Sequence, residues 1–364
     1  MLLILAILTV QSCISDKTNS EEVEAAEVEI NEILRISNDN IHGRSDLILG
    51  APYRTLTDHE NNIYTLDSQQ NKIFKFDSTG QFIDTFGQRG SGPGEFQSIS
   101  GMLLTDDHQL MVLDFPSQQY TVFNADGKIA GISSLKHPYA PFKPIIISNE
   151  LLLPWVENGK IIHSLELENN EITNRFIDVE DVLQTNEEYE QRLLSNNTGS
   201  LLALSNDRIV FTPTHYSGNI HVYDKIDDRW VASEQIPGYR QIDQAFTIHE
   251  TTDKPHRRSQ TIFPQSDSII GFELHSWSMG LFALNNGKFA HLSLTNIGLD
   301  GDQMKLVVEI FESEEKRLER FVITDQLSIT AMPEQIPVWM DRDGYLYIAD
   351  MRDEPALRKL ELVW

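Results

Sequence analysis

Residues 63–87 contain Ile63-Tyr-Thr-Leu-Asp67, Lys72-Ile-Phe-Lys-Phe-Asp77, Ser78-Thr79-Gly80 and Gln81-Phe-Ile-Asp-Thr-Phe-Gly87. The first two runs are apolar and end in Asp. A small polar turn follows, then a third run. Strands place successive side chains on opposite faces, and Asx or Gly supplies the turn conformation between them. The stretch therefore predicts consecutive β-hairpins. Forty-seven positions later the pattern returns in register: Leu110-Met-Val-Leu-Asp114, Tyr120-Thr-Val-Phe-Asn124 and the turn Ala125-Asp126-Gly127.

The same anchors recur further on. Asp341-Arg-Asp-Gly344 precedes Tyr345-Leu-Tyr-Ile-Ala-Asp350 and Leu357-Arg-Lys-Leu-Glu-Leu-Val363. Weaker copies begin at Ser148-Asn149-Glu150, Ser205-Asn206-Asp207 and Asn285-Asn286-Gly287. This gives six units from about residue 30 onward, each of blade size. The expected fold is all-β: a six-bladed β-propeller of four-stranded antiparallel blades. An open ring leaves sheet edges that invite pairing with other chains. Val28-Glu-Ile-Asn-Glu-Ile-Leu-Arg-Ile36 alternates apolar and polar residues and is expected to close the ring beside Leu357–Val363. Residues 28–364 are thus read as one propeller domain. The best helix candidate, Val179 to Leu194, is expected as a surface insertion.

Ile63 to Phe96 resembles an NHL-type propeller repeat. The likeness lies in the strand ending at Asp67, the Lys72–Asp77 strand, Thr79-Gly80, and Phe86-Gly87-Gln-Arg-Gly90-Ser-Gly92-Pro-Gly94-Glu95-Phe96. Asp341 to Asp350 is the second clear match. The whole resembles the six-bladed β-propeller lipoproteins common in Bacteroidetes-type bacteria. The likeness covers residues 50–130 and 335–364. It implies a fold more strongly than an activity.

The chain has 364 residues, with 29 Lys+Arg against 55 Asp+Glu and a net charge of −26. Such a surface repels phosphate backbones, so nucleic-acid binding is excluded. A basic docking face for anionic membranes is disfavoured on the same ground. Hydrophobic residues make up 40%, enough for a sizeable core. The single cysteine, Cys13, rules out an intramolecular disulfide and Cys-rich zinc sites.

Met1–Val10 is an apolar run, too short to span a bilayer as a helix, which needs ~20 residues. It has the length of a signal-peptide h-region. Val10-Gln11-Ser12-Cys13 resembles a bacterial lipobox, which implies cleavage after residue 12 and acylation of Cys13. Several acyl chains hold a protein firmly where one is marginal. Residues 1–12 are then a signal peptide, and residues 13–27, polar and acidic, a flexible tether. The expected location is the bacterial cell envelope, with the protein lipid-anchored to the outer membrane.

Inter-blade connections and the turns between second and third strands emerge on one face of a propeller, where ligand sites sit on a rigid scaffold. Here they include Phe86–Gly101, which carries Arg89, together with Asp114–Gln119, Trp155–Asn158, Pro213–Gly218, Pro237–Trp277 and Met351–Glu354. The longest holds the only dense basic cluster, Lys254, His256, Arg257 and Arg258. It reads either as a site for an anionic group or as an exposed loop pairing with nearby acids. His215 and Tyr216 suit a ligand, a metal or proton transfer, or else belong to a polar turn. Trp155, Trp277 and Trp339 either stack on a sugar or peptide or pack between blades.

No Gly-x-Ser-x-Gly elbow, zinc helix, P-loop or dinucleotide fingerprint is present. The first functional expectation is a non-enzymatic module binding a protein or a small anionic or glycan ligand. The alternative is a hydrolase or lyase with a divalent metal at the channel mouth, its ligands contributed one per blade.

Overall fold

The computed structural model describes residues 26–41, 44, 46–135, 143–183, 199–238, 246–251, 259–262, 269–295, 305–312, 317–323, 338–351 and 353–363. Among the described residues there are seven sheets, six of which form the blades and follow one another around the ring. Blade 1 uses Pro52–Thr57, Ile63–Asp67, Lys72–Phe76 and Phe82–Phe86, from inside outward. Blade 2 uses Ile99–Leu104, Leu110–Asp114, Gln119–Phe123 and Ile129–Ser134. Blade 3 runs from Ile145 to Asp178 and blade 4 from Ser200 to Pro237. Blade 5 uses Ser276–Ala283, Lys288–Thr295, Lys305–Glu312 and Arg317–Ile323. Blade 6 takes Val338–Met340, Leu346–Asp350 and Ala356–Val363 from one end of the chain and Glu29–Ile36 from the other.

The expected closure is therefore present. Glu29 pairs with Val363 and Ile36 with Leu357 in an antiparallel ladder. An ion pair between Arg358 and Glu32 crosses the same two strands. Just before this strand, Ala26–Glu27 pairs in parallel with Phe321 and Val322 at the outer edge of blade 5. The last two residues of the stretch read as a tether thus belong to a sheet.

Burial falls along blades 1 and 2 from the second strand outward. Ile63–Asp67 and Leu110–Asp114 are buried at every position, because neighbouring blades cover both faces. The outer strand Ile129–Ser134 has no buried residue. The turns follow local chemistry. Gly80 and Gly127 both hold positive φ and donate to the carbonyls of Asp77 and Asn124, three residues back. The strand-ending Asp also acquires a cause. Asp67 Oδ2 accepts from the Gly50 amide at 2.6 Å, and its Oδ1 accepts from Gln69 and Gln70. Asp114 accepts from Gln97 and Ser98 at 3.0 and 2.8 Å. In both blades the carboxylate grips the backbone entering its own inner strand.

Two regions depart from a plain reading of loops. The long stretch 237–277 builds a three-stranded antiparallel sheet in which Ile269–Leu274 lies between Phe246–Thr251 and Ser259–Ile262. The apolar runs inside it are what make strands. Of the helix expected over Val179–Leu194, Val179–Leu183 is helical, and the rest lies outside the described residues. Val179 and Val182 are buried with Phe176, Phe211 and Trp230 between blades 3 and 4, so this turn of helix is not a surface feature.

Candidate functional site

Two polar constellations stand out against the apolar packing. The first lies between blades 4 and 5. Alternation in blade 5 sends Trp277, Met279, Leu292, Leu294 and Val308 toward the sixth blade. Ser278, His291 and Glu309 point the other way, toward blade 4, and are buried. Thr212 Oγ1 and Ser278 Oγ are 2.9 Å apart, and Ser278 Oγ is 3.0 Å from His291 Nε2. His291 Nδ1 lies 3.3 Å from Glu309 Oε2, which also accepts from the Tyr216 hydroxyl at 3.3 Å. One proton assignment serves the chain: Nδ1–H donates to Glu309, Ser278 donates to Nε2, and Thr212 donates to Ser278. Glu309 Oε1 has no hydrogen-bond partner among the described residues.

The order Ser–His–Glu, with these ring nitrogens, has the connectivity of an acyl-transfer triad. Access does not follow. Ser278 is 3% exposed, and its own amide donates to the Thr214 carbonyl at 2.8 Å. That amide is therefore unavailable as an oxyanion donor. What the array does is hold the connection 213–218 against blade 5. Tyr216 sits over the His291 ring, with centroids 4.3 Å apart. Gly238 makes room for it, since a Cβ there would meet the Tyr216 hydroxyl oxygen at 1.8 Å. His215 is buried edge-on to Trp277 at 5.3 Å, and burial pushes its pKa down to about 4.

The second constellation is in the channel. The inner strand of each blade has one edge without a sheet partner, so its backbone groups line the axis. Lys143 precedes the inner strand of blade 3, yet its Nζ donates to the Met279 carbonyl of blade 5 at 2.5 Å. Arg54, on the inner strand of blade 1, donates to the Ser100 carbonyl on that of blade 2. Lys143 keeps much of its surface open although protein surrounds it, as befits a side chain projecting into the channel. The enclosure, and then the Arg54 charge, bring its pKa down to about 8. Burial likewise lowers that of Arg54, which lies 5.5 Å from the Tyr53 ring centroid.

The other residues singled out in the sequence are dispersed. Arg89 is exposed and donates to the Gln69 carbonyl at 3.0 Å. Its loop is folded around Glu95, which accepts from the Ser91 and Gly92 amides. Trp155 is buried flat on His163, 3.7 Å between centroids. Burial pushes His163 down to about 4, against an opposing pull from Glu157. Trp339 donates to Thr57 Oγ1 at 3.1 Å and packs edge-on to Phe282. Cys13 and the cluster Lys254, His256, Arg257 and Arg258 lie outside the described residues. Among the described residues no group of three or more His, Cys, Asp or Glu is placed to hold a metal ion. No described helix is long and apolar enough to cross a membrane.

Sequence reasoning did not find Arg54, Lys143, Ser278, His291 or Glu309. Each comes singly from its strand or connection and leaves no spacing signature. The available signal was a polar residue in an apolar run, as in Leu306-Val-Val-Glu309-Ile-Phe311.

Fold and channel together define a six-bladed β-propeller with polar groups at its axis. The chain belongs to the DUF5128 family, described as a 6-bladed beta-propeller, whose profile matches residues 16–296. No curated protein matches the sequence. Among solved structures, a member of the DUF4221 family from Bacteroides vulgatus is 11% identical, with a TM-score of 0.57. The match covers 93% of this chain and 99% of that one. A putative exported protein from Bacteroides fragilis is 10% identical with a TM-score of 0.55, covering 95% and 98%. These likenesses show the fold: a six-bladed propeller.

Proposed function

We propose that this protein is a lipid-anchored propeller of the bacterial cell envelope that binds a ligand or partner through its channel and connection-rich face, without chemistry of its own. The observation that supports the reading most is Lys143: open to solvent, enclosed by protein, and contributed by an inter-blade connection. A polar side chain so placed is available to an entering molecule. The one catalytic-looking array, by contrast, is sealed between blades.

The anchor is carried by the lipobox-like Val10–Cys13 stretch. Its test is labelling of cells with a fatty-acid analogue. Wild type should take up label and sediment with membranes, and Cys13→Ala should do neither. Equal membrane recovery of the two would sink the anchor. Binding is tested by a thermal-shift screen of the intact protein with glycans, peptides and small anions, since a ligand of the folded state raises its midpoint. No shift with any of the three classes would count against the binding module.

A further inference from the structure

We propose that His59 and His108 form a two-imidazole site for a divalent transition-metal ion of the zinc or copper type, on the face of the ring opposite the connection-rich one. The site goes beyond the binding reading above and shares no residue with it.

The two histidines come from different blades. His59 lies in the turn 58–62, between the first and second strands of blade 1. His108 lies in the turn 105–109, at the same place in blade 2. Strand direction alternates within an antiparallel blade, so these turns emerge at the end away from the inter-blade connections. The rings stack across the seam with centroids 3.9 Å apart and planes 27° from parallel. Both residues are exposed.

Each turn is fixed by its own bonds. Asp58 Oδ1 accepts from the Glu60 and Asn62 amides at 3.0 and 2.9 Å. The His108 amide donates to the Thr105 carbonyl at 2.9 Å, and Thr105 Oγ1 accepts from the Gln109 amide at 3.1 Å. The fourth residue of each turn holds positive φ: Asn61 at 60° and His108 at 60°, with Gly344 at 87° in the matching turn of blade 6. Gly and Asn are the usual residues for this conformation, and an imidazole is a less common choice. Here it brings His108 to His59.

The pair suits an ion with a preference for nitrogen. Imidazole is a good ligand for zinc and copper, whereas calcium and magnesium take oxygen. Two nitrogens on one zinc ion, each about 2.0–2.1 Å from it, are no more than about 4 Å apart. The ring spacing falls within that limit, and turning an exposed ring disturbs no packed core. The surroundings favour a cation. The two turns carry Asp58, Glu60, Asp106 and Asp107 and no Lys or Arg. Because no group of three or more His, Cys, Asp or Glu is placed to hold a metal among the described residues, water completes the coordination. The site is thus open and exchangeable, and an ion bound there ties blade 1 to blade 2.

The test is isothermal titration of the intact protein in detergent and a non-chelating buffer at pH 7.5, with zinc chloride and, separately, copper chloride. Wild type should bind, and its unfolding midpoint should rise with the ion. His59→Gln and His108→Asn should each weaken binding by about tenfold or more, because the second contact of a chelate is intramolecular and is lost with either ring. Both changes fall on exposed turns, and Asn keeps the positive φ at position 108, so the variants should retain the fold. Excess calcium or magnesium should leave zinc binding unchanged. Displacement of zinc by either would mean that the carboxylates hold the ion, and overturns the proposal. Failure of both zinc and copper to bind wild type, or undiminished binding in either variant, overturns it as well.

Discussion

The seam between blades 1 and 2 and the seam between blades 4 and 5 occupy equivalent places in the ring and are built on opposite principles. The first is apolar, with Leu66, Ile73, Phe86, Phe96, Val112 and Phe123 in one cluster. Phe86 meets Phe123 edge-on at 5.7 Å. The second has an apolar half around Val210, Ile220, Phe289 and Phe311, and a polar half running from Thr212 to Glu309. An apolar seam is held by area and tolerates imperfect fit in small steps. A polar seam holds only while its groups stay paired, because each orphan carries a desolvation cost. That property makes it specific: it admits one register of blade 4 on blade 5, and with it one position of the connection 213–218.

Four substitutions put the contrast at risk. The largest effect belongs to the apolar seam. Phe86→Ala opens a cavity in a fully packed cluster and should cost about 3–5 kcal/mol in urea unfolding. A loss below about 1 kcal/mol would mean that the seam collapses to fill the space. In the polar seam, His291→Leu leaves Ser278 with Thr212 alone and Glu309 with Tyr216 alone, and should cost about 3 kcal/mol. The double variant His291→Leu, Glu309→Leu removes the orphaned carboxylate as well and should recover most of that loss. Equal costs for single and double variants would show that the array is not coupled, and the contrast between seams would fall.

The smallest effect is one of slope. His215 has an ordinary pKa of 6.5 and is pushed down to about 4 by burial. As pH falls, the unfolded chain therefore takes up the proton first. Stability is full above about 6.5 and is lost progressively toward 4. His215→Leu should flatten this acid limb, whereas Phe86→Ala should lower the whole profile without changing its slope. His59 and His108 stack at 3.9 Å across blades 1 and 2, but both are exposed and stand outside the apolar cluster. Unfolding midpoints across that pH range decide the matter.

The ring was legible in the sequence because its punctuation is local. Asp77-Ser-Thr-Gly80 and Asn124-Ala-Asp-Gly127 close their turns within four residues, and the Asp67 and Asp114 carboxylates bond backbone 16 or 17 positions away. Ring closure was legible in the apolar–polar alternation of Val28–Ile36. The three-stranded sheet within 237–277 is less legible, because its strands are short and carry none of the Asp-ended punctuation of the blades. The polar seam and the channel cations were hidden for a different reason. Ser278, His291 and Glu309 sit on three strands, and Arg54 and Lys143 enter from different blades. Their meeting is a product of the closed ring and has no counterpart in local order.

Closure also sets the timing of folding. Glu32 and Arg358, paired across the sixth blade, are 326 positions apart. The strand Glu29–Ile36 is among the first made, yet its partner Ala356–Val363 is among the last. Until that partner is available to pair, the early strand has an unpaired edge, the kind of surface that invites wrong partners. Contacts of this sequence separation form slowly, because a long loop must close before any pairing offsets its entropy. The ring is thus assembled blade by blade and locked in a single late event. A newly made chain remains vulnerable to aggregation and proteolysis until its final blade is complete.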